Sequence, residues 1–509
     1  MKTFKNPILS GFYPDPSICR VNDDYYMVTS TFTYFPGVPI FHSKDLVHWK
    51  QIGNVLAQNE EIKLNGEVSR GIFAPTIRHN KGVFYMITTN VSGGGNFIVT
   101  ATNPAAPWSK PHFIEGANGI DPSLFFDDDG KCYYHGTCDR REGASYYGDN
   151  EIYLQELDLN EMKLVGERYA IWHSALKNAV WPEGPHVYKV GDYYYLMISE
   201  GGTGPDHAIT IARSKTLTGY YEGFKSNPIL THRHLGQKYP IVNVGHGDLV
   251  ETQNGEWWMV LLASRPYGGY FRNLGRETFL VPVTWENGWP VANYGIGLVR
   301  DEEVFPNLTP APVSDSTEID FTKIKERPLN MLFLRNPVLD NFKLDNGLQM
   351  KLTNPITQVD NPVSYYAIRQ QHMDFECTTT MEFNPKTENE CAGLVILQNH
   401  KFNYQFLKSI KNGKAVLQVI MCKNEELSTL AQVECPDNSP IHLKISAKGQ
   451  DLSFHYGSDK NLTPIYENAD ARMLSTDVAG GFVGNTIGVY GSSDNNSQAR
   501  FVNLLYKGV

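Results

Sequence analysis

Along the first 300 residues, polar and apolar positions alternate in short runs rather than in helical turns. Five runs open on Gly or Asp and then carry adjacent aromatic residues, at 23–30, 82–89, 130–137, 191–198 and 255–262. Period-two alternation bounded by turn residues predicts strands. The second aromatic of each run is Tyr26, Tyr85, Tyr134, Tyr194 and Trp258, so the unit recurs after 59, 49, 60 and 64 residues. A second strand is predicted just upstream of each, at 15–20, 74–79, 121–126, 183–190 and 246–252, joined by a short Asn/Asp/Gly turn. Five such units of three or four short strands predict a five-bladed β-propeller. A β-sandwich with unrelated hairpins explains the repetition less well.

Past Val299 the pattern breaks. Residues 302–316 hold three prolines and no periodicity, which predicts a linker, placed at 306–318. From there the chain again shows short alternating strands, at 377–383, 392–398, 415–422 and 441–447, with no convincing helical period. The expected architecture is all-β: a propeller over 1–305 and a C-terminal β-sandwich over 319–509.

Composition narrows the function. A chain of 509 residues exceeds one ordinary core. A net charge of −10 argues against nucleic acid or an anionic membrane as partner. Seven cysteines, an odd number with no zinc-like spacing, read as free thiols of a reducing compartment. With no apolar segment near Met1, the expected location is the cytoplasm. The oligomeric state stays open between monomer and homo-oligomer.

In a propeller the first strand of each blade lies beside the central channel, so residues at one end of all five meet there. Counting back 11 to 13 positions from each aromatic marker gives Asp15, Ala74, Asp121, Glu183 and His246. Glu183 stands in Trp181-Pro182-Glu183-Gly184-Pro185-His186, clamped by prolines that cannot donate a backbone hydrogen bond. Asp15 and Asp121 each precede Pro and Ser, and a residue before proline is expected to be extended. One such carboxylate alone reads as an exposed turn residue. Three at blade-equivalent positions read as a catalytic set, because glycoside hydrolysis needs a protonated acid and an ionised partner across the scissile bond. Crowded carboxylates push one another's pKa values apart. A lone His246 reads as a structural histidine or, in so negative a cavity, as one contact of a hydrated calcium ion. Arg276 reads as a carboxylate or sugar partner at the start of the strand closing the last blade, or as a rim salt bridge. Phe32, Phe35 and Phe73, in loops beside the inner strands, read as sugar-subsite walls or as packing between blades.

The opening Asn6-Pro7-Ile8-Leu9-Ser10-Gly11-Phe12-Tyr13-Pro14-Asp15-Pro16-Ser17 resembles that of family-43 glycoside hydrolases of the β-xylosidase/α-L-arabinofuranosidase type. So do Glu183-Gly184-Pro185-His186, Glu200-Gly201-Gly202-Thr203-Gly204 and Leu274-Gly275-Arg276-Glu277-Thr278. The resemblance implies an inverting, exo-acting enzyme on xylo- and arabino-oligosaccharides. It implies Asp15 as general base, Glu183 as general acid and Asp121 as the residue that orients the acid and raises its pKa. It also implies Arg276 as an active-site arginine and His246 as the axial histidine that binds calcium through water. An endo-arabinanase would need an open groove. A propeller lectin would need no such carboxylates.

Overall fold

The computed structural model describes residues 2–58, 62–311, 317–435, 440–459 and 461–509. The predicted linker falls partly at 312–316, outside the described residues.

Residues 3–304 form a five-bladed propeller. Each blade is an antiparallel sheet whose first four strands follow chain order, as in Ser17–Val21, Asp24–Val28, Gly37–Ser43 and Lys50–Leu56. The inner strands of the other blades are Thr76–Asn80, Ile120–Phe126, Glu183–Val190 and Val242–Glu251. Each neighbours the inner strand of the next blade, and the last returns to the first. Thr3–Lys5 pairs with Glu302–Val304, joining the two ends of the propeller. The aromatic markers have a packing role. Tyr26 meets Phe84 of the next blade at 4.9 Å between ring centroids, Tyr85 meets Phe126 at 5.1 Å, and Tyr194 meets Phe125 of the preceding blade at 5.9 Å. Flat rings on tilted blade faces fill the wedge between sheets with little loss of side-chain entropy.

Arg276 differs in one respect from the expectation. It precedes Glu277–Glu286, the third strand of the last blade, and the closing strand is Trp289–Ala292. The turn at Gly288, with φ +75°, lets the chain fold back once more.

The C-terminal part is a sandwich of two antiparallel sheets, and its first strand is Thr317–Asp320. In Phe375–Glu382 and in Ile441–Lys448 every second residue is buried, the pattern of a strand with one face on a core. Here helix is reduced to a short segment, Thr476–Ala479, and two 3₁₀ turns among the described residues. The propeller lends a strand to the sandwich: Tyr34–Phe35 pairs with Leu332–Leu334, with Phe35 opposite Phe333. Phe35 therefore packs in the inter-domain core and not on the axis.

Candidate active site

Five chain segments reach the axis, and three bend sharply as they do so. Asp15, Asp121 and His246 have φ of +54°, +53° and +48°, in the left-handed region. The expectation that the following prolines hold Asp15 and Asp121 extended is thus overturned. Strand pairing is interrupted beside the last two, between Ile120 and Ser123 and on both sides of Gly245. Such bulges re-aim side chains, and non-glycine residues persist there only where the surrounding structure holds them. In the fourth blade the shift lies between Glu183 and His186, and Gly184 takes the left-handed conformation at φ +57°. A Cβ at Gly184 would lie 2.9 Å from the His246 ring, so glycine is required there on both counts.

These bends gather Asp15, Asp121, Glu183, His246 and Arg276 around one cavity of about 350 Å³. Phe32, Phe73 and Ala74 wall it, as does Phe482 from the sandwich. Asp15 Oδ1 accepts from Arg276 Nη1 at 2.8 Å, and its Oδ2 accepts from Ser30 Oγ at 2.5 Å. His246 Nδ1 lies 3.8 Å from Asp15. Asp121 Oδ2 accepts from the Gly184 backbone N–H at 3.2 Å, which ties the Asp121 strand to the segment carrying Glu183. Arg276 also reaches Thr203 Oγ1 at 3.3 Å and lies over the Phe32 and Phe482 rings at 5.7 and 5.6 Å.

The surroundings separate the carboxyl groups. Burial works to raise Asp15, but Arg276, His246 and the Ser30 hydroxyl outweigh it and hold Asp15 below the usual aspartate value. Burial, reinforced by the charge of Asp15 and opposed by Arg276, pushes Glu183 up to about 7. Burial and then the charges of Glu183 and Asp15 raise Asp121 as well. Asp121 and Glu183 therefore stay protonated to higher pH than isolated carboxyls would, while Asp15 is ionised. An ionised carboxylate and a protonated one in the same cavity are the pair that acid–base chemistry needs.

Beneath this layer lies a second one, also drawn from all five inner strands. Asp248 accepts from Ser17 Oγ at 2.7 Å, Arg78 Nη1 at 2.8 Å and Tyr188 OH at 2.6 Å. His186 Nδ1 faces Arg78 Nη2 at 2.9 Å and Ser123 Oγ at 3.0 Å. Burial drives His186 down to about 3 and so keeps it neutral. Ser17, Ser123 and Asp248 each stand two residues after Asp15, Asp121 and His246, so the belt ties down the strands that present the upper layer.

Phe482 and Thr203 have no place in the sequence reading of the site. Phe482 follows two glycines in a segment with no strand pattern and lies far along the chain from every other wall residue. Its ring stacks on Phe32 at 6.1 Å and meets Phe73 edge-on at 6.0 Å. Its backbone N–H donates to Ser69 Oγ at 2.8 Å, and Asp477, in the short helix just before it, pairs with Arg272 at 2.8 Å. Among the described residues no group of three or more His, Cys, Asp or Glu side chains is set to hold a metal ion directly. The single imidazole of His246 therefore fits a calcium ion only through the ion's own water.

Comparison with known proteins gives the family and the fold. Residues 4–290 match the family model described as Glycosyl hydrolases family 43. Residues 318–507 match that of the Beta xylosidase C-terminal Concanavalin A-like domain. The chain is 47% identical over 509 residues to a xylosidase/arabinosidase of Butyrivibrio fibrisolvens, covering 98% of each. It is 38% identical to a non-reducing end alpha-L-arabinofuranosidase of Bacteroides ovatus, covering 98% of this chain and 92% of that one. Among solved structures, a xylan beta-1,4-xylosidase from Bacillus halodurans superimposes with a TM-score of 0.92 at 32% identity, over 99% of this chain and all of the other.

Proposed function

This chain belongs to glycosyl hydrolase family 43, and from that premise we propose that it is an exo-acting, inverting enzyme releasing xylose and L-arabinofuranose from hemicellulose oligosaccharides. The observation that carries this reading is the cavity itself: three carboxyl groups with separated proton affinities, in a space of about 350 Å³ walled on one side by Phe482. That wall favours a chain end over the middle of a polymer. The two pentoses offer similar hydroxyl layouts to one pocket, and relatives named for one or both activities support dual specificity.

In this mechanism ionised Asp15 takes a proton from a water molecule as that water attacks the anomeric carbon. Glu183 gives its proton to the glycosidic oxygen as the C–O bond breaks, and the sugar leaves with inverted configuration. Asp121 accepts the Gly184 N–H and so orients the segment that carries Glu183, and the crowding of the two carboxyl groups disfavours ionising both. Arg276 keeps Asp15 ionised. A calcium ion held by His246 through water would add positive charge to the axis. Chelator treatment that lowers activity or melting temperature supports that ion, and no change in either removes it.

Proton NMR of the first turnovers tests the central claim. The initial product from a β-xyloside is expected as the α-anomer, and a β-anomer would overturn inversion. Parallel assays on nitrophenyl β-xyloside and α-L-arabinofuranoside give the sugar preference.

A further inference from the structure

Arg276 ends a stretch of the propeller that carries no strand. The second strand of the last blade is Trp257–Ser264 and the third is Glu277–Glu286, so residues 265–276 join them without a ladder of their own. The sandwich supplies the missing hydrogen bonds. Arg272 donates its backbone N–H to Asp477 Oδ2 at 2.8 Å and its Nε to Asp477 Oδ1 at 3.0 Å. Asn273 is fully buried and uses three groups on the sandwich. Its Nδ2 donates to the Ala471 carbonyl at 2.6 Å, its Oδ1 accepts from Gln450 Nε2 at 2.9 Å, and its carbonyl accepts from the Asn485 N–H at 2.9 Å. Resting on the reading of Asp15 as general base, we propose that Asn273 is a positioning residue for the reaction, carrying the docking of the sandwich through Arg276 to Asp15.

The contacts leave the segment little slack. Gln450 and Ala471 are joined to each other, the Ala471 N–H donating to the Gln450 carbonyl at 2.9 Å, and Gln450 Nε2 also donates to the Tyr267 carbonyl at 2.8 Å. Both ends of the Asn273 amide thus enter one cradle. A buried amide with donor and acceptor both in use holds one orientation, because rotating it leaves buried polar groups unpaired. The backbones meet as closely just beyond it. A Cβ on Gly484 would lie 2.4 Å from the Leu274 carbonyl oxygen, and one on Gly275 would lie 2.6 Å from the Gly484 nitrogen.

Arg276 follows directly. Its Nη1 donates to Asp15 Oδ1 at 2.8 Å and its Nη2 to the Phe482 carbonyl at 3.4 Å. The sandwich therefore holds Arg276 twice, through the backbone that leads into it and at the guanidinium. The other oxygen of Asp15 accepts from Ser30, a propeller residue. Of the two side-chain hydrogen bonds that aim this carboxylate, one is set inside the propeller and the other by the docked sandwich. When the second slackens, the carboxylate turns away from the water it deprotonates, and a misplacement of about 1 Å costs up to about a hundredfold in rate.

The test is a double-mutant cycle in the full-length enzyme, with Asn273→Ala, Arg276→Ala and the two together, assayed on nitrophenyl β-xyloside and nitrophenyl α-L-arabinofuranoside. Asn273→Ala alone is expected to lower kcat about ten- to a hundredfold while KM stays within about threefold. In the Arg276→Ala background the same substitution is expected to cost no more than about twofold, because the group it acts through is gone. Gln450→Ala, made within the sandwich and away from the cavity, repeats the cycle and decides the matter if Asn273→Ala does not fold. Losses that multiply in the double variants would mark a general structural role and overturn the proposal, and so would an unchanged kcat in the single variants. Asp15→Asn is the control. If it keeps near-normal turnover, the reading of the base falls and the proposal with it. An inactive Asp15→Asn beside multiplying losses overturns the proposal alone.

Discussion

Propeller and sandwich are built from the same material, short antiparallel strands with alternating burial, yet they spend it differently. In the sandwich two sheets meet face to face, and in strands such as Phe375–Glu382 every second side chain joins an apolar core that extends to the first two blades. In the propeller five sheets meet at their edges, so the ends of their first strands converge where apolar packing cannot complete a core. The chain puts polar groups there. Asp15, Asp121, Glu183, His246, Arg78, His186 and Asp248 are all buried or partly buried around the axis. Convergence brings distant residues together, at the cost of bulged backbone and desolvated charge. Among the described residues the sandwich supplies no carboxylate to the cavity. It contributes Phe482 as a wall, and Arg369 lies over the Phe12 and Tyr13 rings at 4.7 and 4.2 Å, bracing the segment that ends in Asp15.

The sharpest way to break this comparison is to remove the sandwich. Deleting residues 317–509 takes away Phe482 and the strand that pairs with Tyr34–Phe35, so the expected outcome is loss of soluble, active protein. A soluble propeller fragment with full activity would show that the two regions are independent.

Next in size are the axial carboxylates. Asp15→Asn and Glu183→Gln are expected to lower kcat by about 10²–10⁴-fold with sugar binding retained, the range for a lost general acid or base. Near-normal turnover in a folded variant would remove that residue from the mechanism. Asp248→Asn probes the layer below. Leaving Arg78 buried with its partner neutralised should cost about 3–5 kcal/mol in chemical denaturation, as broken buried ion pairs do. A variant as stable as the parent would mean that the belt does not hold the axis together.

Smaller effects separate shaping from chemistry. Phe482→Ala should lower kcat/KM about tenfold, roughly 1.4 kcal/mol, without moving the melting temperature. An unchanged kcat/KM would reduce the sandwich to a brace. The pH profile should show the acid limb of kcat/KM below the usual aspartate range, because Asp15 must be ionised and is held low. Activity should fall as pH rises through about 7, because Glu183 must carry its proton. Since Asp15 helps to raise Glu183, the residual activity of Asp15→Asn should lose its alkaline limb at lower pH than the parent. An alkaline limb that does not move would show that the two carboxyl groups are electrostatically independent.

Much of this was legible in the chain because it is local. Alternation and turn residues determined the strands, the repeated aromatic pairs determined the number of blades, and position within the repeat pointed to Asp15, Asp121, Glu183 and His246. A repeated fold turns position in sequence into position around an axis. Other features were not local, and only the tertiary structure decided them. The unequal offsets of 11 to 13 residues from the markers hid the bulges, since a bulge is a property of pairing and leaves no residue signature of its own. The belt of Ser17, Arg78, Ser123, His186 and Asp248 depends on five strands closing a ring, and no one of these residues differs from an ordinary strand polar residue. Phe482 lies more than 200 residues beyond Arg276, whose guanidinium it touches. It reaches the cavity because the sandwich docks on the propeller, and docking is governed by the shape of two folded surfaces, which exist only after each chain segment has folded.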